Sequence, residues 1–464
     1  MTARSVIVRF ADGRSVDGWS LREELSADVF QRQAHYDLAG AYAQAICTSP
    51  GVEPVLHNLL ALKSPLIRDV SAALFVFERD PEAVTELQVA PNISAVLRRF
   101  RPQMPIVENQ SLNAELVSRR AALTTAAKAI AHRLYRMRRR PYVGGKAVVR
   151  AWVEVTLKMY AREVKNAQVR VFPFPLNRHR QKEFLDELRR QRIDWTRDGL
   201  PYRLSSAAGL IAAGGNDRAL AMAKFERDAF VDFASEVVRS GAGPVFTSDE
   251  FELGAVAAGQ AFRVAGLHYV NSAHGVGFYC PRTAYSHFRY LTASQREFYG
   301  RSSPETQFVP RQTANFVLAE PPSPTNGRAS VVFVHQDFRG AGLPAEADVE
   351  EQIMERLDAL KLPAHVSKYV KVHPNANPQH LSGRLRDCSV ATEWNHIEFG
   401  RCLFLMINST AFYDLIGAGD IAVFKDVSFS PELYLEGEYQ HFDLQTLAPT
   451  IEGWVKSHGA ARRE

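Results

Sequence analysis

"CLFLMINSTAFYDLIGAGDIAVF", residues 402 to 424, decides the fold class. Cys402 to Ile407 form an uncharged apolar run of strand length, as a strand buried on both faces requires. The polar Asn408-Ser409-Thr410 ends that run, "TAFYDLIGAG" has helical spacing and closes on glycine, and "DIAVF" is a second strand. Strand, short helix and strand in that order is the repeating unit of a parallel sheet.

The same pattern extends upstream. "SVVFVHQ" (330–336) reads as a strand, "AEADVEEQIMERLDAL" as a helix, "SKYVKVH" (367–373) as a strand and "NHIEFGR" as a short helix. Before the Pro-rich linker "AEPPSPTNGRAS" (319–330) lies an earlier run of the same kind. There "AQVRVFPFP" is a strand, "NRHRQKEFLDELRRQ" a loop and helix, "GPVFTSDEFELGAVAAGQAFRVAG" a strand, Ser-Asp cap and helix, and "LHYVNSAHG" a strand. Two such runs predict two Rossmann-like α/β domains, over 165–290 and 291–464. Residues 1–164 read as a mostly helical accessory domain that opens with the hairpin "SVIVRFADGRSVDGW", turning at Asp12-Gly13.

Composition narrows the function classes. The 464 residues are 46% hydrophobic and 23% charged, which fits a globular chain of two or three domains. A formal charge of +5 gives no reason to expect a nucleic-acid partner. Cys47, Cys280, Cys388 and Cys402 lie far apart and form no Cys-x-x-Cys pair, so neither a zinc knuckle nor a disulfide framework is expected. No phosphate-binding Gly-x-x-x-x-Gly-Lys run, no Gly-x-Gly-x-x-Gly fingerprint after a strand and no Asp-x-Asp pair occurs. We therefore expect neither a bound cofactor nor a metal. The N-terminal stretch has no apolar segment of signal-peptide length, which places the expected location in the cytoplasm. The basic, aromatic stretch with Arg136, Arg138, Arg139 and Arg140 beside Tyr135, Tyr142 and Trp152 is either a solvated face or a peripheral attachment to an anionic membrane.

Ligands of parallel α/β sheets bind outside the carboxyl ends of the strands. That rule puts His373-Pro374-Asn375 and Asn408-Ser409-Thr410 on one rim. Helix-start N–H groups and two hydroxyls there make an anion site, His373 adds an imidazole donor, and Asp414, one turn on, suits ribose hydroxyls. Each feature alone is more often an ordinary cap or core residue. Their coincidence at consecutive strand ends favours a nucleotide phosphate.

"KVHPN" followed about thirty residues later by "INSTAFYDLIGAGDIAVF" resembles the donor half of two-domain GT-B glycosyltransferases of bacterial capsule and lipopolysaccharide assembly. It is similar to their Lys-x-His-Pro and Asn-Ser-Thr-x-x-x-Glu-Ala-Leu motifs, above all in Kdo, sialyl and polysialyl transferases and teichoic-acid glycerophosphotransferases. The likeness covers about 240–430. It implies two domains facing across a cleft, with the donor phosphate held by His373, Ser409 and Thr410. Asp414 stands where the family has glutamate. "NSAHGVGFYCPRTAYSHFRYLTAS" resembles the Trp-His-Gly or Gln-x-Gly segment of these enzymes, whose histidine is taken as the base in the glycerophosphotransferases; the counterpart is His274, with Gly275 and Gly277 allowing close approach. Asp249 and Glu250, at the end of "VFTSDE", are the other candidate bases, or a simple helix cap. Arg178, His179 and Arg180 are candidates for binding an anionic, lipid-linked or phosphorylated saccharide acceptor. Gln336 and Arg339, in "VHQDFRG", are candidates for closing over the donor phosphate.

The resemblance implies a metal-independent glycosyltransferase that moves a Kdo- or sialic-acid-like sugar from a CMP-linked donor to a surface glycan. It leaves two alternatives open: a CDP-glycerol or polyol-phosphate transferase, and a non-catalytic glycan- or nucleotide-binding module.

Overall fold

The structure is a computed structural model that describes residues 5–25, 33–112, 115–137, 139–151, 154–172, 178–311, 329–339, 344–374, 376–398, 400–427 and 431–459. The chain divides into two compact units, Met1–Arg311 and Gln312–Glu464.

The first unit starts with the expected hairpin. β1 (Val6–Phe10) pairs antiparallel with β2 (Ser15–Asp17), and Gly13, at φ +86°, makes the turn while Asp12 Oδ1 accepts from the Arg14 N–H at 2.8 Å. β3 (Val84–Val89) and β4 (Ile106–Glu108) complete a four-stranded sheet in the order β2-β1-β3-β4. Helices Gln33–Ile46, Glu53–Lys63 and Pro65–Arg79 accompany it.

The larger sheet of this unit is parallel throughout. Its strands are β5 (Val148–Ala151), β6 (Gln168–Val171), β7 (Trp195–Arg197), β8 (Val245–Thr247), β9 (Tyr269–Ser272), β10 (His287–Tyr290) and β11 (Gln307–Pro310). They lie in the order β7-β6-β5-β8-β9-β10-β11. The order reverses between β5 and β8, so the carboxyl ends of those two strands flank a topological switch point.

The unit boundaries differ from the sequence expectation in two places. β5 lies within the stretch assigned to the accessory domain, and β10 and β11 carry the first unit on to Arg311 instead of ending it at 290. The early residues also form no separate body. One continuous core runs from Val6 and Leu56 through Phe230 and Phe262 to Phe288, and the helix Glu53–Lys63 packs on the long helix Gly215–Arg239. Leu56, Leu59 and Leu60 are wholly buried, each worth about 1.5–3 kcal/mol relative to exposure.

The second unit is one six-stranded parallel sheet. β12 (Ala329–Val334), β13 (Val366–Lys371), β14 (Ser389–Ala391), β15 (Arg401–Met406), β16 (Asp420–Phe424) and β17 (Gln440–Phe442) lie in the order β14-β13-β12-β15-β16-β17. This is the doubly wound order 3-2-1-4-5-6 of nucleotide-binding sheets, with its switch point between β12 and β15. The helix Pro344–Ala359 buries Ala347, Ile353, Met354 and Leu357, the 3.6-residue phase its sequence predicts.

Candidate functional site

In the second unit Val334 stands level with Lys371 on one side and Met406 on the other. Gln336, His373 and Asn408 each lie two residues past those paired ends, Gln336 on the middle strand with His373 on one side and Asn408 on the other. The sequence-predicted His-Pro and Asn-Ser-Thr segments therefore share one rim. His373 is partly exposed and Pro374 exposed, and the Ala376 N–H closes a turn on the His373 carbonyl at 2.9 Å. Asn375 lies outside the described residues. The Asn408 Oδ1 atom is enclosed and has no hydrogen-bond partner among the described residues. A polar atom in that position is commonly completed by a ligand or water.

The Asn-Ser-Thr segment differs from the expected helix start. The helix is a single turn, Ala411–Leu415, because Ile416 turns away into a bridge with Gly419. Its first amides are already bonded locally. Ser409 Oγ accepts from Ala411 N–H at 3.2 Å, and the carbonyls of Ser409 and Thr410 accept from Phe412 and Tyr413. Ser409 thus stabilises the turn, whereas Thr410, partly exposed, makes no side-chain cap. Asp414 is 7% exposed, buried on the inner side of the turn.

Two residues that sequence reasoning passed over underpin this rim. His335, directly after β12, accepts the His373 N–H on Nδ1 at 3.3 Å, which leaves its proton on Nε2, 3.5 Å from Glu350 Oε2. Glu350 in turn accepts the Gln336 N–H. Burial, the largest influence on both, pushes Glu350 up to about 8 and His335 down to about 4, so the pair rests neutral. The available signal was a glutamate in the apolar phase of its helix, four residues after the equally buried Glu346. Lys371 is buried too, its ammonium donating to the Val372 carbonyl at 2.9 Å and lying 5.3 Å from the Trp394 ring. Arg339 is engaged elsewhere: it pairs with Asp348 and Glu351, each at 3.1 Å.

In the first unit the strand ends hold a buried polar network. Asp249, fully enclosed, forms an ion pair with the equally enclosed Arg150 of β5. Its carboxylate also accepts from the hydroxyls of Tyr269 at 2.6 Å and Tyr285 at 2.8 Å. The guanidinium lies 4.3 Å from the Phe172 ring centre, with Phe230 and Phe233 nearby. Asp249 does not open a helix as expected; Asp249 to Glu252 form a turn, and the next helix begins at Ala255. Glu250, 1% exposed, accepts from Asn271 Nδ2 at 3.0 Å and from the His274 N–H. Burial outweighs these donors and pushes it up to about 7.

His274 is the only one of the three base candidates that is partly exposed; its ring stands edge-on to Phe251, centroids 5.5 Å apart. The loop after it is firmly held. Gln295 Nε2 donates to the Gly275 and Gly277 carbonyls at 2.6 and 3.1 Å, the Tyr36 hydroxyl to the Phe278 carbonyl, and the Asn58 amide both accepts from and donates to the Arg282 backbone. Neither glycine has a positive φ. Arg178, His179 and Arg180 open the helix Arg178–Arg190 instead of occupying a loop, and residues 173–177 lie outside the described residues. Among the described residues no group of three or more His, Cys, Asp or Glu side chains is arranged to hold a metal ion, and no helix is long and apolar enough to cross a membrane. No protein-family model and no curated protein matches the chain.

Proposed function

We propose that the chain is a GT-B glycosyltransferase that works without a metal ion and moves a Kdo- or sialic-acid-like sugar from a CMP-linked donor to a saccharide or lipid-linked saccharide of a surface glycan. One observation carries this reading: in a parallel sheet of doubly wound order His373 and Asn408–Thr410 follow the two strands that flank β12, beside its switch point, with Asn408 Oδ1 lacking a partner among the described residues. In this reading His373 and the Thr410 hydroxyl hold the donor phosphate, and Asn408 Oδ1 accepts from a hydroxyl or amino group of the donor. His335 and Glu350 fix the backbone that carries His373 and Gln336.

In this reading His274 is the base. The acceptor hydroxyl gives its proton to His274 as its oxygen bonds to the anomeric carbon, and the bond from that carbon to the phosphate oxygen breaks, releasing CMP. The enclosure of Asp249 and Glu250 supports the choice of His274. A panel of CMP-, CDP-, UDP- and GDP-linked donors, scored by thermal shift, tests the assignment. CMP-linked donors should raise the unfolding temperature. A response to CDP-glycerol alone would assign the chain to polyol-phosphate transfer, and silence across the panel would remove the transferase reading.

A further inference from the structure

The helix Arg119–Arg136 is built inside out. Its inner side carries small or polar residues, Ala122, Thr125, Ala126, Ala129 and His132, while Leu123, Ile130, Leu134 and Met137 face solvent. A surface helix of a globular domain normally has the reverse arrangement. The inner side suits close docking: Gly199 lies so near the His132 backbone that a Cβ there would meet its carbonyl at 2.5 Å, and His132 Nδ1 accepts from the Leu200 N–H at 2.8 Å.

The outer side has no apolar counterpart among the described residues. Ile130, Leu134 and Met137 are 58, 60 and 77% exposed. The neighbouring helix Leu204–Ala212, packed beside it, adds Leu204 and Ile211 at 43 and 42%. Of the twelve large apolar side chains exposed among the described residues, six lie on these two helices or the cap between them and the next segment, so the patch is a local concentration and not scattered surface.

Charge identifies the occupant. The helix Arg119–Arg136 holds five Lys or Arg and no Asp or Glu, and the helix Leu204–Ala212 holds no charge. Arg136 is bound to Glu236, but Arg119, Arg120 and Arg133 are exposed and enter no ion pair among the described residues. From Leu123 to Met137 the stripe runs about 20 Å along the helix, is aliphatic and lacks the aromatic anchors typical of protein interfaces. Aliphatic side chains bordered by unpaired arginines match the boundary between acyl chains and phosphate headgroups. We propose that this face docks the protein on an anionic lipid bilayer, with the two helices lying in the plane of the interface. The inference stands independently of the transfer reaction.

Sedimentation of the full chain with vesicles tests it. The protein should pellet with mixed phosphatidylcholine–phosphatidylglycerol vesicles at low salt and remain in solution with phosphatidylcholine alone. Ile130→Glu with Leu134→Glu should lower the bound fraction about tenfold or more, and Arg119→Ser with Arg120→Ser should weaken binding and reduce its salt dependence. Should the glutamates disturb the helix, as circular dichroism would reveal, Ile130→Ser with Leu134→Ser gives the same comparison. The proposal is overturned if the wild-type chain ignores the mixed vesicles or if the substituted chains bind as well as wild type. It is equally overturned if light scattering shows a dimer that these substitutions dissolve while vesicle binding is absent, since the face would then belong to a second copy.

Discussion

Replacing Asp249 by asparagine distinguishes a structural carboxylate from a chemical one. The substitution preserves shape and removes one charge, leaving the Arg150 guanidinium enclosed without its counter-ion. Stranding one member of a buried pair costs about 3–5 kcal/mol. The three phenylalanine rings around Arg150 remain and place the cost toward the lower end. Asparagine keeps one acceptor oxygen, so one of the two tyrosine hydroxyls loses its partner, adding about 1–3 kcal/mol. The total, about 4–6 kcal/mol, is a large part of the about 5–15 kcal/mol that holds most folded proteins together.

Urea denaturation of the variant should show it directly. With m about 3 kcal/mol per M, the midpoint of the first unit's transition should fall by about 1.3–2 M, while the second unit's transition stays in place. Asp249→Asn combined with Arg150→Met, which removes the stranded charge and keeps one acceptor for the tyrosines, should recover about 3 kcal/mol of the loss. His274→Ala, by contrast, should lower kcat about a hundredfold or more with the urea midpoint nearly unchanged. An Asp249→Asn chain of wild-type stability and no turnover would refute the argument and make the carboxylate the base.

Other substitutions probe the two rims. His373→Ala should abolish donor binding without unfolding the second unit. Thr410→Ala should raise the donor dissociation constant about tenfold, whereas Ser409→Ala, which removes a local cap, should affect stability more than affinity, as titration calorimetry and urea melts would separate. Glu250 sets a pH dependence: between its ordinary 4.5 and about 7 the unfolded chain has released a proton that the folded chain retains, so stability falls as pH rises through this window, by about 3 kcal/mol in total. Glu250→Gln should flatten that slope relative to wild type; an unchanged slope would mean that Glu250 is ionised in the folded protein.

The sequence was most legible where strands are uncharged. β12, β15 and β16 were readable from their apolar runs and β13 from its valines and tyrosine despite Lys368 and Lys371, and the rim of His373 and Asn408 followed from them. β5 was hidden by Arg150, a charge in the middle of a buried strand whose partner lies about a hundred residues away; no local pattern indicates such a pairing. β7, β14 and β17 are three-residue edge strands whose identity comes from neighbours and not from composition. His335 and Glu350 escaped for a related reason: a histidine after a strand and a glutamate in a helix look solvated until a tertiary contact buries them. The accessory character of residues 1–164 was inferred from a change in pattern, but the shared core that joins them to the first parallel sheet is formed by contacts distant in sequence.

The Asn58 side chain meets the Arg282 backbone as one peptide meets another across a ladder, accepting its N–H at 2.8 Å and donating to its carbonyl at 3.0 Å. These partners are separated by 224 residues, so the loop that follows His274 cannot reach its final shape until nearly the whole first unit has left the ribosome. At a synthesis rate of about 5–20 residues per second, the N-terminal helices wait more than about ten seconds with their loop-facing surface uncovered. Through that interval the Asn58 amide is hydrogen-bonded to water, and it exchanges water for the Arg282 backbone only when that residue emerges.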